Sequence, residues 1–299
     1  MRVLVFSLSL SIGAAIGVLG APSGVLAQRD GGPVSPPMAR AAYSRFAGFY
    51  RLVAAESRGY LAYDPAGYVS MTMQGPDEPS PEAMRGYAAY FGTFAVNAGA
   101  DTITHQLFGA LQPRFSLTDQ AQRVTMSGNR LTLFPPAAGS RTQSSLTWER
   151  VPDLPTLTAT QRQLVGFWRL VSTERRFTKD GGLARAYPGW TGFIVYAPSG
   201  HMMVHMMEPY RRRYAGDVPT PEEARATTQS YTSYFGTYTI TGAGSLVHHF
   251  EGSINRSSIG TDTQRFFEVS GNTLILKPPV ITTPEGDVIM TNVWERLTD

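Results

Sequence analysis

Alternation of apolar and polar residues with a period of two is clearest along 246–252, among short strand-like segments that recur along the chain. In its carboxy-terminal half, segments near 166–177, 192–197, 201–207, 236–241, 246–253, 263–269, 273–277 and 288–297 are rich in β-branched and aromatic residues. Turn signals such as Pro198-Ser199-Gly200, Gly242-Ala243-Gly244 and Ser270-Gly271-Asn272 separate them. Eight strands are the number that closes a small antiparallel barrel. One stretch breaks the period. Thr220 is placed to cap a helix, Pro221 suits its first position, and Glu223 completes a capping box. The corresponding start in the first half is Ser80-Pro81-Glu82, with a helix expected to about Phe91. One helix is therefore expected between the third and fourth strands of each half, where it would cover one mouth.

The two halves repeat each other. Phe49-Tyr50-Arg51-Leu52-Val53 aligns with Phe167-Trp168-Arg169-Leu170-Val171, and the segment from Gly59 to Tyr63 aligns with that from Gly192 to Tyr196. Tyr90-Phe91-Gly92-Thr93 matches Tyr234-Phe235-Gly236-Thr237, Ser127-Gly128-Asn129 matches Ser270-Gly271-Asn272, and Trp148-Glu149-Arg150 matches Trp294-Glu295-Arg296. So many matches in one order mean an internal duplication. The spacing grows from 118 residues (Gly48 to Gly166) to 133 (Gly59 to Gly192), which locates an insertion of about fifteen residues in the second copy, around Arg176 to Trp190. The expected organisation is all-β: two tandem eight-stranded antiparallel barrels over 43–151 and 164–299, joined by a linker at 152–163.

The amino end adds a destination. Arg2 precedes an uncharged apolar run from Val3 to about Leu19, followed by Val25-Leu26-Ala27 before Gln28. This is the pattern of a secretory signal peptide over 1–27. An uncleaved anchor is the other reading, since the run nearly spans a bilayer; either way the bulk of the chain is expected outside the cytoplasm, periplasmic or secreted. With the signal cleaved, no integral membrane segment is expected. Residues 28–42, rich in Gly and Pro, read as a flexible lead-in.

Composition narrows the chemistry. The chain has no cysteine, which removes disulfides, thiol nucleophiles and cysteine-bound metals. Its formal net charge of +3, lowered by one if Arg2 is removed, is too small to argue for nucleic acid.

The residues resemble the bacterial and fungal lipocalin-like domain family, here in tandem. The resemblance rests on Leu164-Val165-Gly166-Phe167-Trp168-Arg169-Leu170-Val171, on Tyr196-Ala197-Pro198-Ser199-Gly200 with the Met-rich strand after it, on Tyr231 to Tyr238, on Val247-His248-His249-Phe250-Glu251-Gly252 and on the closing Trp294-Glu295-Arg296. It covers about 160–297 well and 46–151 more loosely. It implies lipocalin-like barrels in which Trp168 plugs the closed end beneath Arg296, and Tyr50 beneath Arg150. It also implies small-molecule binding.

Strand alternation indicates which residues point inward. Leu246, His248, Phe250 and Gly252 share one face, matched in the first copy by Ile103, His105, Leu107 and Gly109. Arg265 shares a face with Phe267, and the first-copy position in phase is Gln122. An unpaired guanidinium inside an apolar barrel favours a bound anion. The second barrel is thus expected to bind a small apolar molecule bearing a carboxylate or enolate, with Arg265 and His248 at its polar end. Met202, Val204, Met206, Phe250 and Phe267 are expected around the rest, and His105 marks the corresponding place in the first barrel.

His201 and His205 share a strand face but stand about 13 Å apart at the usual strand rise, too far for one metal ion. No metal and no cofactor are expected. The run Arg211-Arg212-Arg213 reads as solvated surface. Two other functions fit the same pattern: a cofactor-independent isomerase, cyclase or hydratase using an inward histidine, and a filled-barrel structural module.

Overall fold

A computed structural model describes residues 37–75, 86–135, 145–216 and 218–297. The expected signal peptide, the lead-in up to residue 36 and the helix start at Ser80-Pro81-Glu82 lie outside the described residues. Helix α1 (Pro37–Phe46) leads into the first barrel, whose strands are β1 (Gly48–Leu52), β2 (Arg58–Tyr63), β3 (Tyr68–Gln74), β4 (Tyr87–Val96), β5 (Thr102–Ala110), β6 (Asp119–Ser127), β7 (Arg130–Phe134) and β8 (Leu146–Arg150). Each pairs antiparallel with the next, and β8 closes on β1.

Helix α2 (Ala159–Leu164), capped by Thr158, opens the second unit. Its strands are β9 (Gly166–Phe177), β10 (Leu183–Ala186), β11 (Thr191–Tyr196), β12 (His201–Met207), β13 (Tyr231–Gly242), β14 (Ser245–Ser253), β15 (Asp262–Ser270), β16 (Thr273–Lys277), β17 (Ile281–Thr283) and β18 (Gly286–Arg296), with α3 (Pro221–Gln229) between β12 and β13. Pairing of β18 with β9 closes eight of these strands into a second antiparallel barrel; β10 hangs on β9 and β17 on β18. The protein is thus all-β, two closed eight-stranded barrels in tandem with few helices. Thr220 and Glu223 form the expected capping box of α3. The expected reach of a helix to about Phe91 is wrong, because Tyr87–Val96 is a strand throughout.

The closed ends are built alike. In the second barrel the Trp168 Nε1 donates to Leu164 O at 2.8 Å, and the Arg296 guanidinium lies 4.0 Å from the centre of the Trp168 ring while donating to Val165 O and Gln163 O. In the first barrel the Tyr50 hydroxyl donates to Phe46 O at 2.8 Å, and Arg150 donates to the same hydroxyl at 2.8 Å. Tyrosine therefore reproduces the tryptophan's bond to the carbonyl four residues upstream, which is why the exchange of Trp for Tyr leaves the plug intact.

The barrels pack wall to wall. Every residue of β3 and β12 is buried, since one face of each strand looks into its own barrel and the other meets the neighbouring barrel. The contacts come in reciprocal pairs: Tyr60 meets Phe235 with ring centres 5.3 Å apart, and Phe91 meets Phe193 at 5.0 Å. Gly109 and Gly252 make this approach possible, for an added Cβ would stand 2.6 Å from the Phe91 ring and 2.1 Å from the Phe235 ring. Arg211 corrects the surface reading of its triplet. It lies over the Tyr231 ring and donates to Ala110 O and Leu111 O of the first barrel, both at 2.6 Å, while Arg212 and Arg213 are exposed.

Candidate ligand-binding site

The inner wall of the second barrel is one apolar cluster that includes Met202, Val204 and Met206 from β12, Phe250 from β14 and Phe267 from β15. These five expected lining residues therefore lie together, all buried. Met203 and Met207 of the same strand face the other way, into the contact between barrels. So do His201 and His205. His201 Nε2 accepts from Arg51 at 2.9 Å, and His205 Nδ1 bonds the Tyr231 hydroxyl at 3.1 Å.

His248 sits inside the second barrel with no exposed surface. Its Nε2 is 2.9 Å from the Tyr196 hydroxyl and its Nδ1 3.2 Å from that of Tyr234. A neutral ring meets both needs, one nitrogen donating and the other accepting. Burial pushes the imidazole well below its ordinary range, and the charges of Arg265 and His249 act in the same direction. Burial raises the Tyr196 phenol correspondingly. The first barrel repeats the arrangement at the matching positions. His105 Nε2 is 2.7 Å from the Tyr63 hydroxyl and its Nδ1 2.8 Å from that of Tyr90, and burial lowers its pKa to about 3.

The copies part at one position. In the first barrel the Gln122 side-chain amide approaches His105 Nδ1 at 3.3 Å. In the second, that place on the wall belongs to Arg265, which is directly opposite Leu246 in the strand ladder and close enough for its charge to bear on both His248 and Tyr196. Arg265 is only half-buried and donates to Gln264 O at 2.9 Å; among the described residues it makes no ion pair. The sequence reading missed Tyr196 and Tyr234, and with them Tyr63 and Tyr90. All four were in view, because each lies inside a repeated block.

Two further inward donors are present. The Nε1 of Trp148 and of Trp294, at matching places on β8 and β18, are buried without a hydrogen-bond partner. Nearer the mouth, the Thr173 hydroxyl donates to Asn292 Oδ1 at 2.6 Å. Among the described residues no group of three His, Cys, Asp or Glu is placed to hold a metal ion, and no helix is long and apolar enough to cross a membrane.

The sequence profile of the lipocalin-like domain matches residues 72–151 and 165–297, one segment in each barrel. The chain belongs to the lipocalin-like domain family. Solved structures similar to this lipocalin-like chain include a Bacteroides fragilis protein provisionally named an outer membrane protein, at 12% identity over 85% of this chain and 99% of that one, with a TM-score of 0.24. Another is a Nostoc punctiforme protein of unknown function from the DUF3598 family, at 11% identity over 87% and 99% of the two chains, with a TM-score of 0.22. No curated protein matches the chain. Duplication within a lipocalin-like chain thus supplies the most informative comparison, one barrel against the other.

Proposed function

We propose that the protein is an exported small-molecule binding protein, periplasmic or secreted, whose second barrel holds an apolar molecule ending in a carboxylate or enolate. In this reading residues 1–27 are a signal peptide, 28–42 a lead-in, and 43–151 and 164–299 the two barrels. A helix between the third and fourth strands of each barrel covers one mouth.

The observation that carries the proposal is the replacement of Gln122 by Arg265. The glutamine completes the bonding of His105, whereas the arginine has only a neighbouring backbone carbonyl. A guanidinium without an acidic partner beside an apolar wall is balanced by an anion from outside the chain. Met202, Val204, Met206, Phe250 and Phe267 form that wall, and the unpartnered Trp294 Nε1 offers a further donor to the occupant. His248 serves by fixing the hydroxyls of Tyr196 and Tyr234. Binding is preferred to turnover at His248 because both of its nitrogens are occupied, while a general base needs a lone pair facing the substrate. His105 holds the corresponding hydroxyls in the first barrel, whose occupant would be uncharged.

Native mass spectrometry of the protein purified from its own host, followed by solvent extraction, tests this. One apolar acid per chain is expected, and Arg265→Gln, which copies the first barrel, should lose it. An empty spectrum together with no displacement of apolar fluorescent probes would overturn the proposal.

A further inference from the structure

The insertion that distinguishes the second copy builds a charged rim at the mouth of its barrel. Strand β9 is longer than β1, and its extra length carries Arg175 on the same face as Thr173, the face that looks inward. Strand β10, formed by the insertion, places Arg185 directly opposite Arg175 in the ladder. Tyr187 follows, its backbone bonded to Thr173 O at 3.2 Å, and both guanidinium groups lie over its ring, Arg175 at 5.7 Å and Arg185 at 4.8 Å. Trp190 packs edge-on against Tyr187 and joins the apolar cluster of the barrel interior. Nothing in the first copy corresponds to this segment.

The charges on the two faces of β9 are treated differently. On the outer face Arg176 pairs with Glu174 at 2.7 Å and Arg169 with Glu295 at 2.8 Å. On the other face Arg175 and, opposite it on the exposed strand β10, Arg185 have no acidic partner among the described residues, and the Nε of Arg175 is buried without a hydrogen bond. Like charges directly opposite in a ladder repel. The register extends the pattern around the wall. Phe267, Leu276, Asn292 and Thr173 face one another across β15, β16, β18 and β9, and the next inward layer toward the mouth contains Arg265, Met290 and Arg175. Three strand intervals amount to roughly 14 Å along the wall, a span that two arginine side chains reaching inward can close on one head group.

We infer that Arg175, Arg185 and Arg265 form an anion-binding rim, with Tyr187 and Trp190 flanking it, that takes the doubly charged head group of an amphipathic molecule while its apolar body enters the barrel. The head-group chemistry is that of a phosphate monoester, in place of the carboxylate or enolate named above. The inference rests on the binding function proposed above and adds to it the specificity-determining role of the insertion.

Calorimetric titration of the purified protein with dodecyl phosphate, dodecanoate and dodecanol tests it, with binding expected to weaken in that order. Arg175→Met with Arg185→Met should reduce affinity for dodecyl phosphate about tenfold at low salt and leave dodecanol within about twofold. Relief of the like-charge pair should raise the thermal midpoint of Arg185→Met alone, which separates loss of binding from loss of fold. If Arg265→Gln weakens dodecanoate while the double variant binds dodecyl phosphate as the parent does, the rim is refuted and the binding function stands. Equal affinity for dodecanol and dodecyl phosphate also refutes the rim. Failure of all three probes to bind overturns both.

Discussion

His105 and His248 are polar groups enclosed by apolar walls and satisfied by two phenols each, which makes them sensitive to acid. Burial holds His105 at about 3 when folded, against an ordinary 6.5. Protonation therefore favours the unfolded chain: its contribution to stability is whole above about pH 6.5 and is lost as the pH falls toward the folded value. The melting midpoint, followed by circular dichroism, is expected to drop between pH 7 and pH 4, and His105→Gln should flatten that slope while keeping a donor and an acceptor for Tyr63 and Tyr90. The inward direction of both histidines was legible from alternation alone. Their partners were not, because Tyr196 and Tyr234 reach His248 from two other strands, and alternation within a strand carries no information about which strands become neighbours.

At the scale of elements, the repeat located most strands, and the capping residues located the start of α3. The end of a helix was harder to read. In the second copy no glycine or proline stands where the chain leaves the helix, so the polar run after Pro221 merges into Tyr231, which is already in β13. In the first copy helix was expected up to Phe91 although Gly86 stands directly before Tyr87, where β4 begins; Tyr87, Tyr90, Phe91 and Phe94 are spaced as on one face of a helix, and pairing with β3 and β5 overrides that spacing. Close packing between elements sets another expectation. Gly252→Ala would drive the Phe235 ring into Tyr60, and overpacking of that kind costs about 1–3 kcal/mol. Gly109→Ala should cost a similar amount through Phe91, and urea denaturation of both variants provides the check.

At the scale of the molecule, the two barrels share a core. Phe49, Tyr60, Phe91, Phe193 and Phe235 belong to one buried cluster that draws on both. A single unfolding transition, coincident by circular dichroism and tryptophan fluorescence, is therefore expected for the whole chain, and two separated transitions would show that the barrels stand alone. This contact was only partly visible in the sequence. The run from His201 to Met207 has no charged residue on either face, the mark of a strand covered twice, but it does not say what covers the second face. Arg211, read as one of three surface arginines, is the bridge that the sequence concealed.

The reciprocity of the contacts between barrels has a further consequence. Ser70 donates to the sulfur of Met203, its own counterpart in the repeat, so the relation between the barrels passes through that pair as a two-fold axis would. Tyr60 meeting Phe235 while Phe91 meets Phe193 is the pattern of a symmetric homodimer. A protein with one such barrel and the same outer face would be expected to pair with itself, and its two mouths would be forced to stay identical. Joining the subunits in one chain removes that constraint: an arginine, a loop or a strand can be added to one mouth without appearing at the other.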